Sequence, residues 1–290
     1  DGTQDIFWND PHTLFVSLHQ DGRTLYPGTG FPEECGGPGA LGRTVNIPLP
    51  PGTSDEGYLY AVEHAVLPLL EDFRPDIVIN SAGQDNHFTD PLASMKLSAQ
   101  GYAALTRALN PHVAVLEGGY SVRGALPYVN LAICLALAGM PTDEIREPDW
   151  SPDAARQSGA TGEHIARLCE QVRRQYFHPP SRPAEGGEQD GWWVRRKRIF
   201  YDTDMLRENQ IEAWRLCPDC SGLGRTETVS ERTARSLCVL VPRHACPRCR
   251  KTGLDLAHRA RGDGGYAHVL LLDGDAACCL GDGEETDFLA

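Results

Sequence analysis

The sequence predicts a mostly parallel α/β sheet with helices on both faces, followed by a small zinc-ribbon-like module. Over the first 140 residues, short β-branched segments alternate with segments of helical periodicity, the pattern of strands connected by covering helices. Polar, glycine-rich loops follow two of the predicted strands. Further along, two Cys-x-x-Cys pairs occupy 217–220 and 246–249, a spacing typical of zinc sites. The 290 residues have room for one large domain and one small module.

Composition excludes several classes of protein. Hydrophobic residues make up 41% of the chain and the mean hydropathy is −0.36, values that exclude disorder throughout, collagen and a membrane bundle. No segment approaches the roughly 18 apolar residues of a transmembrane helix. The first residues, DGTQD, contain neither a signal peptide nor an initiator Met, so we interpret the chain as a fragment or a processed chain. Cysteine pairs without a signal peptide favour metal binding in a reducing cytoplasm over a secreted disulfide scaffold.

The net charge of −13 is unevenly distributed. Residues 192–260 contain 14 basic and 8 acidic side chains, so this segment carries +6. Residues 1–141, 142–191 and 261–290 carry −9, −4 and −6. We interpret these segments in order: 1–141 is the α/β domain, 142–191 a helix with a Pro/Gly-rich linker, 192–260 the cysteine module and 261–290 an acidic tail.

The predicted elements of the α/β domain follow from periodicity. In chain order they are strands at 13–18 and 44–49, a helix at 59–74, a strand at 76–80, a helix at 97–109, a strand at 112–117 and a helix at 125–138. The strands at 76–80 and 112–117 are apolar on both faces, which predicts central, buried positions. The helix at 125–138 is almost wholly apolar and is also predicted to be buried. A further helical stripe spans 165–176.

Two loops follow strands at the carboxyl-terminal edge of the predicted sheet, where ligands of open α/β folds bind. The strand at 76–80 leads into SAGQD, which ends at Asp85, and the strand at 112–117 leads into GGY, which ends at Tyr120. Small residues permit sharp turns that present one polar side chain each. From the residues alone, a turn or helix-cap role for Asp85 and a packed-aromatic role for Tyr120 stay open.

Six motifs of this domain resemble, in the same order, those of the zinc-dependent histone deacetylases, especially the bacterial and archaeal type. They are DGTQDIF at 1–7, VSLHQ at 16–20, YPGTG at 26–30, VNIPL at 45–49, SAGQD at 81–85 with Asp90-Pro91, and LEGGY at 116–120. The resemblance implies an arginase/deacetylase-like fold, N-terminally truncated, with residues 1–141 as the C-terminal part of the catalytic domain. It also implies hydrolysis of an acyl-lysine-type amide by metal-activated water.

The resemblance assigns roles to individual residues. Asp85 corresponds to a carboxylate ligand of the catalytic zinc, and Tyr120 to the phenol that donates a hydrogen bond to the scissile amide oxygen. Zinc lowers the pKa of its bound water towards about 7, and a fixed O–H donor stabilises the oxyanion. Tyr26 corresponds to the aromatic side chain that lines the tunnel for the acyl-lysine stem. Structural monovalent cations such as K⁺ are implied at Phe7, Ser17 and Leu18.

Other residues of the family pattern differ or are absent. The family does not use the position of His87 as a ligand, so we interpret His87 as a surface histidine or one that supports the site. Asp90 is interpreted as an Asp-Pro turn residue that holds the Asp85 loop. In the family, an Asp-x-His zinc pair stands just before the segment that matches Asp1, and the paired general-base histidines stand further upstream. Because a catalytic zinc needs three protein ligands, we expect these 290 residues alone to be inactive.

Two alternatives to a protein deacetylase stay open. Hydrolysis of acetylpolyamine or another small acetylated amine would use the same tunnel and the same zinc chemistry. In a different class, the chain would be a non-catalytic zinc-ribbon binding protein built on a deacetylase half. The expected partner is thus an acetylated lysine-containing protein or a small acetylated amine, and no membrane partner is expected.

The cysteine pairs predict a closed, structural zinc site formed by Cys217, Cys220, Cys246 and Cys249. Each pair has the shape of a zinc knuckle, in which a following glycine lets backbone N–H groups approach the sulfurs. Strands of a small ribbon are predicted at 198–201 and 237–242. Free thiols, two vicinal disulfides and a redox pair are the alternatives. The other cysteines are interpreted as strand, loop or core residues or receive no role: Cys238, Cys35, Cys134, Cys169 and the pair Cys278-Cys279.

The segment WWVRRKR at 192–198 is basic with aromatic residues, a composition that permits nucleic-acid contact. The stronger interpretation is that the basic segment docks on the acidic residues 1–141. Elution from a heparin or DNA column distinguishes the two, because phosphate contacts give a steep dependence on salt.

Overall fold

The computed structural model describes residues 2–153, 155–201, 204–275, 278–280 and 285–287, with side chains as far as 275. The chain divides into two compact units. The first contains Asp1–Phe7, His12–Cys35 and Gly42–Pro180, and the second contains Trp8–Pro11, Gly36–Leu41 and Ser181–Ala290. The division at Pro180 falls inside the predicted linker at 142–191. Asp1 of the first motif lies outside the described residues, as do the side chains of Cys278 and Cys279.

The first unit alternates strands and helices, as the periodicity predicts. Its elements are α1 (Gly2–Ile6), β1 (Phe15–Gln20), β2 (Thr44–Leu49), α2 (Asp55–Ala61), a π-helical turn (Val62–Val66), α3 (Leu67–Phe73), β3 (Ile79–Ala82), α4 (Ala99–Leu109), β4 (Val113–Leu116), α5 (Leu126–Leu137) and α6 (Gly159–Phe177). The predicted helix at 59–74 therefore begins earlier, at Asp55. It ends at Phe73, and the next residue, Arg74, adopts a left-handed conformation (φ 51°) just before Pro75.

The four strands of this unit pair in parallel, in two separate pairs. In the first pair Phe15 of β1 lies opposite Thr44 of β2, and in the second Ile79 of β3 lies opposite Val113 of β4. Parallel pairing places the carboxyl ends of β3 and β4 side by side. The loops that carry Asp85 and Tyr120 therefore leave the pair at the same edge.

The core of the first unit is built from β2 and the helices that pack on it. Side chains of β2, α3, α6 and the segment before α4 are fully buried, among them Ile47, Leu49, Leu69, Leu97 and Ile165. The predicted stripe at 165–176 forms the buried side of α6. This packing fixes the scaffold beneath the loops at the strand ends.

The predicted burial of the strands at 76–80 and 112–117 is wrong for one of their faces. Ile77 and Ile79 are 63% and 62% exposed, and Val113 and Val115 are 45% and 40% exposed. These side chains alternate onto one face of the β3–β4 pair, and the described residues leave that face uncovered. Apolarity on both faces indicates burial only where an element packs on each face.

The predicted full burial of the helix at 125–138 is also wrong. In α5, Val129 and Ala132 are completely buried, but Leu131 and Leu137 are 49% and 45% exposed. A uniformly apolar helix carries no sequence signal for which side faces the core.

The second unit is built around one mixed sheet. Its elements are β5 (Gly187–Gln189), β6 (Trp192–Tyr201), β7 (Leu206–Cys217), β8 (Cys220–Ser230), β9 (Ser236–Val241), α7 (Pro247–Gly262), β10 (His268–Asp273), β11 (Cys278–Leu280) and β12 (Glu285–Asp287). The strands lie in the order β12-β11-β10-β9-β8-β7-β6-β5. β9 and β10 are parallel and connected through α7, whereas the other neighbours in this sheet are antiparallel.

This unit differs from the expected small ribbon with an acidic tail. The predicted strands at 198–201 and 237–242 belong to β6 and β9, but α7 also packs its Ala257 into a core with Val239 and Leu271. Residues 268–273, inside the predicted tail, form β10 between β9 and β11. The acidic residues flank this apolar strand, so the segment's net charge concealed it.

The basic segment of β6 is partly neutralised within the second unit. Arg195 Nη2 lies 2.5 Å from Glu212 Oε2, and Lys197 Nζ lies 2.8 Å from Glu212 Oε1. The Arg195 guanidinium also stacks over the ring of Trp8, 4.2 Å from its centroid. Arg196 and Arg198 stay exposed. Half of the cations that suggested nucleic-acid contact therefore form ion pairs within this unit.

None of the helices in the described ranges is both long and apolar enough to cross a bilayer.

Candidate active site and cysteine cluster

The loops at the ends of β3 and β4 are bonded to each other and to the helices behind them. The Gln84 backbone N–H donates to the carbonyl oxygen of Gly118 at 2.5 Å. Gln84 Nε2 donates to Asn130 Oδ1 on α5 at 2.5 Å, and Tyr102 Oη on α4 donates to the carbonyl oxygen of Gly83 at 2.9 Å. These bonds hold both loops in fixed positions at the edge of the sheet.

Asp85 and Tyr120 converge beside Gly118. A carbon at the Cβ position of Gly118 would lie 2.8 Å from Asp85 Oδ2 and 3.3 Å from Tyr120 Oη. The carboxylate and the phenol come from different loops and share one side of this glycine. Tyr120 is 52% exposed, so about half of the residue is accessible to a ligand. The structure therefore brings these two sequence-predicted residues together.

The surroundings of Asp85 suit a ligand or an acid–base group. Burial raises the pKa of its carboxyl above the usual value; nearby Asp90 raises it further, and a hydrogen bond from its own backbone opposes the shift. Among the described residues, no cationic side chain pairs with this carboxylate. A partly buried carboxylate without a counter-charge is typical of functional sites.

Asp90 forms the expected turn and also holds Tyr120. Its Oδ1 accepts hydrogen bonds from the backbone N–H groups of Leu92 and Ala93 at 2.9 and 3.3 Å. Its Oδ2 accepts from the Tyr120 N–H at 2.8 Å. Asp90 thus connects the Asp85 loop to the backbone of the predicted oxyanion donor, a contact that sequence spacing does not reveal.

His87 is not the surface histidine allowed by the first alternative, because its side chain is completely buried. Its Nε2 lies 2.5 Å from Glu147 Oε1, and its Nδ1 lies 2.9 Å from Thr89 Oγ1. Both ring nitrogens are engaged, so His87 supports the site and is not free to bind a metal. Glu147 carries no sequence signal for this role, because it lies 60 residues from His87 and outside any motif.

Tyr26 stands in an exposed loop after β1, with 63% of its surface accessible. His19 anchors this loop, since its Nδ1 bonds Ser17 Oγ at 2.9 Å and its Nε2 bonds the carbonyl oxygen of Gly30 at 3.0 Å. Burial is the main cause that lowers the pKa of His19. Because the Ser17 hydroxyl bonds His19, it already has a hydrogen-bond partner. Cation binding by Phe7, Ser17 and Leu18 stays a prediction, as does the tunnel role of Tyr26.

The first unit is similar in sequence to proteins of known family. Residues 1–135 match the model of the histone deacetylase domain. This segment of the chain is thus similar to histone deacetylase domains. A probable deacetylase from Archaeoglobus fulgidus is 54% identical over 158 residues, which cover 51% of this chain and 44% of that protein. Histone deacetylase 15 from Arabidopsis thaliana is 37% identical over 233 residues, which cover 69% of this chain and 40% of that protein.

A similar solved structure confirms the fold class. The HD domain of HDA15 matches with a TM-score of 0.51 at 31% identity, covering 61% of this chain and 48% of that chain. The matches thus span less than half the length of these relatives. Around Asp85, the described part of the histone deacetylase segment contains no group of three potential metal ligands.

Replacing Gly118 with alanine tests the convergence of Asp85 and Tyr120 in the deacetylase segment. The new methyl group would lie 2.8 Å from Asp85 Oδ2, so the carboxylate must move. If Asp85 binds a metal, we expect the zinc affinity of an N-terminally extended form of the chain, measured by calorimetry, to fall by about tenfold or more. Gly159→Ala is the control, because its added carbon meets nothing within 4 Å. Equal affinity in both variants would contradict the geometry.

The four-cysteine cluster expected in the second unit is present. The sulfur atoms of Cys217, Cys220, Cys246 and Cys249 all lie within 4.8 Å of one another. The sulfurs of Cys217 and Cys246 are 3.8 Å apart. Four thiolates at about 2.3 Å from a tetrahedral zinc would be about 3.8 Å from each other. The donor set and spacing therefore fit a zinc ion.

The two cysteine pairs differ in local structure. Cys217 and Cys220 lie at the turn between β7 and β8, where the Gly222 N–H points to Cys220 Sγ at 3.3 Å, as a knuckle requires. Cys246 is instead the residue that precedes α7, and Cys249 lies in its first turn. The second pair is thus a helix N-terminus and not the expected ribbon knuckle. Pro247 at the first helical position favours this helix start.

Cys217 is the most activated thiol of the cluster in the metal-free protein. The Asp219 N–H and then the Arg248 guanidinium, which bonds Cys217 Sγ at 3.3 Å, lower the pKa of this thiol to about 6. Burial raises the pKa of Cys249 far above its usual value. Only the thiolate is nucleophilic, so these two cysteines must differ in reactivity.

In the metal-free protein we therefore expect alkylation of Cys217 by iodoacetamide to be half-maximal near pH 6, while Cys249 stays unmodified at pH 7. Peptide mass spectrometry after timed labelling measures both. Arg248→Ala should move the Cys217 midpoint to higher pH, whereas Lys251→Ala should not. Parallel labelling of the two cysteines would show that the thiols are equivalent.

Proposed function

We propose that the first unit is part of a zinc-dependent deacetylase that hydrolyses acyl-lysine-type amides. The observation that carries the proposal is the convergence of the Asp85 carboxylate and the Tyr120 hydroxyl beside Gly118. Asp85 would hold the metal, and Tyr120 would donate a hydrogen bond to the acyl oxygen as negative charge develops on it. When bound, zinc supplies Lewis acidity and a water of lowered pKa.

The described residues contribute one ligand to this site. Asp90 is engaged by three backbone N–H groups and His87 by Glu147 and Thr89. A catalytic zinc needs two further protein ligands. We propose that these ligands and the general base come from sequence that precedes these 290 residues, and that the 290 residues alone are inactive.

Activity assays test this proposal directly. The 290-residue chain and a form extended at its N-terminus to the length of the curated relatives are each incubated with an acetyl-lysine peptide and with an acetylated polyamine. We expect turnover by the extended form alone. Hydrolysis by the 290-residue chain would contradict the proposal that these residues alone are inactive. Inactivity of both forms would favour a non-catalytic protein. Preference for the polyamine would select the small-molecule alternative.

We also propose that the cysteine cluster holds a structural zinc ion in a cytoplasmic protein. Four thiolates leave no open position for water, so no catalytic role is assigned to this site. Metal-binding Cys-x-x-Cys pairs are typical of a reducing compartment, which supports the cytoplasmic assignment. Metal analysis should give about one zinc per 290-residue chain, and about two in the extended form.

A further inference from the structure

A row of four hydrogen-bonded side chains runs behind the loop that carries Tyr120. Glu147 Oε1 lies 2.5 Å from His87 Nε2, and His87 Nδ1 lies 2.9 Å from Thr89 Oγ1. Thr89 Oγ1 in turn lies 2.7 Å from Ser121 Oγ, and Ser121 directly follows Tyr120. We call Glu147, His87, Thr89 and Ser121 the relay. None of its members belongs to the metal site proposed above.

A backbone contact favours one tautomer of His87. The Thr89 N–H donates to His87 Nδ1 at 3.2 Å, which favours a ring proton on Nε2 that donates to Glu147. The Thr89 and Ser121 hydroxyls, 2.7 Å apart, share a hydrogen bond in which either oxygen is the donor. The continuous row of contacts defines the relay.

The relay is anchored at both ends on helices. Glu147 Oε2 accepts from the Ala99 N–H at the start of α4 at 3.0 Å, and the Ser121 carbonyl accepts from the Ala125 N–H just before α5 at 2.9 Å. The side chains of His87 and Glu147 are 0% and 4% exposed. Buried hydrogen bonds in a low dielectric are costly to break, so this row is a rigid connection between α4 and the Tyr120 loop.

Tyr120 benefits from such a connection, because its side chain is only half-buried and packing constrains it less than a core residue. Its place therefore also depends on its backbone. Asp90 holds the Tyr120 N–H, and the relay holds the following residue, Ser121. Two different side chains, those of Asp90 and Thr89, thus hold two adjacent residues of this loop.

We propose that Glu147, His87 and Thr89 are positioning residues that act through Ser121 to fix the Tyr120 hydroxyl above Asp85. The catalytic consequence of this inference rests on the proposed deacetylase function. An oxyanion donor acts only at a defined place, and a displacement of about 1 Å is enough to lose much of its effect. Removing the relay should therefore release Tyr120 without removing any group that touches substrate or metal.

The test uses the Thr89 hydroxyl, the central member of the relay. Thr89→Val keeps the side-chain shape and removes the hydroxyl, whereas Thr89→Ser keeps the hydroxyl. In the 290-residue chain, we expect Thr89→Val to speed hydrogen exchange of the Tyr120 amide about five- to tenfold and to shift the Tyr120 ring resonances, measured by NMR. Thr89→Ser should restore the wild-type values. Thr106→Val, which removes another buried threonine hydroxyl inside α4, should leave both unchanged.

A second variant protects the test against misfolding of the first. A carbon added at Gly124 would lie 2.6 Å from both Thr89 Oγ1 and Ser121 Oγ, so Gly124→Ala separates these two hydroxyls and leaves His87 in place. We expect the same faster exchange at Tyr120. Wild-type exchange and resonances at Tyr120 in both folded variants, or in Gly124→Ala if Thr89→Val does not fold, would overturn the inference.

Kinetics of the extended form separate this inference from the proposed function. If the wild type deacetylates a peptide, Thr89→Val should lower kcat about tenfold with little change in KM, and Thr89→Ser should restore it. An unchanged kcat despite faster exchange at Tyr120 would overturn the positioning role in catalysis. If the wild type has no activity, the proposed function fails, and the exchange data alone decide whether the relay holds Tyr120.

Discussion

Asp85→Asn in the N-terminally extended form is expected to lower kcat/KM for an acetyl-lysine peptide, the proposed substrate class, by at least about a thousandfold. Changes in residues that merely support a metal ligand already cost about 10- to 100-fold, and Asp85 is proposed to bind the metal itself. The variant should also lose one zinc equivalent, measured by elemental analysis. Asp76→Asn, which changes an exposed carboxylate before β3, should retain activity and metal.

Tyr120→Phe gives the complementary result. Loss of the hydroxyl alone should lower kcat about 100- to 1,000-fold while the zinc content stays at the wild-type level, because the phenol stabilises charge and does not hold metal. If Asp85→Asn keeps its zinc, or if Tyr120→Phe retains full activity, the roles assigned to the two converging side chains are wrong.

Cys246→Ser is expected to abolish the zinc binding proposed for the second unit and to destabilise that unit. The site joins the β7–β8 turn to the start of α7, so the metal stabilises the packing of α7 on the sheet. A ligand present at about a thousand times its dissociation constant stabilises a fold by about 4 kcal/mol, and structural zinc sites bind far more tightly than typical ligands. Thermal unfolding with and without a chelator measures the effect.

Cys134→Ser is the matched control for this experiment. Cys134 is an exposed cysteine of α5 in the first unit and lies outside the cluster. It should retain zinc and the wild-type unfolding temperature. A chelator-insensitive unfolding transition in the wild-type protein would mean that the four thiols are not a structural metal site.

Local pattern predicted the parts of the fold whose partners lie nearby in sequence. Helical periodicity placed α4 and α6, and Pro75 marked the end of α3. The same patterns gave the wrong burial for Ile79 and Val113, because an apolar strand does not specify which of its faces an element covers. In the second unit, β10 was hidden inside a segment with a net charge of −6, since a charge average does not resolve a six-residue strand.

Some residues of the candidate site could be found from sequence motifs, and others only from contacts in the structure. Asp85, Tyr120 and the four cysteines stand in motifs with short spacings, so sequence identified them. Glu147 and Ser121 could not be found, because their roles depend on contacts across 60 and 32 residues with His87 and Thr89. His87 itself was noticed for its closeness to Asp85, but only burial and the Glu147 contact show that it supports the Tyr120 loop.

The arrangement of the two cysteine pairs also affects the unfolded chain. Cys217 and Cys246 are 29 positions apart and enclose β8 and β9. A metal that stays bound to both pairs closes a loop of that length in the denatured ensemble, and by a chain-entropy account such a cross-link lowers conformational freedom by the equivalent of about 3–4 kcal/mol. The closed loop ends where α7 begins, so it confines the β8–β9 pair and leaves the α7 crossover to β10 unconstrained.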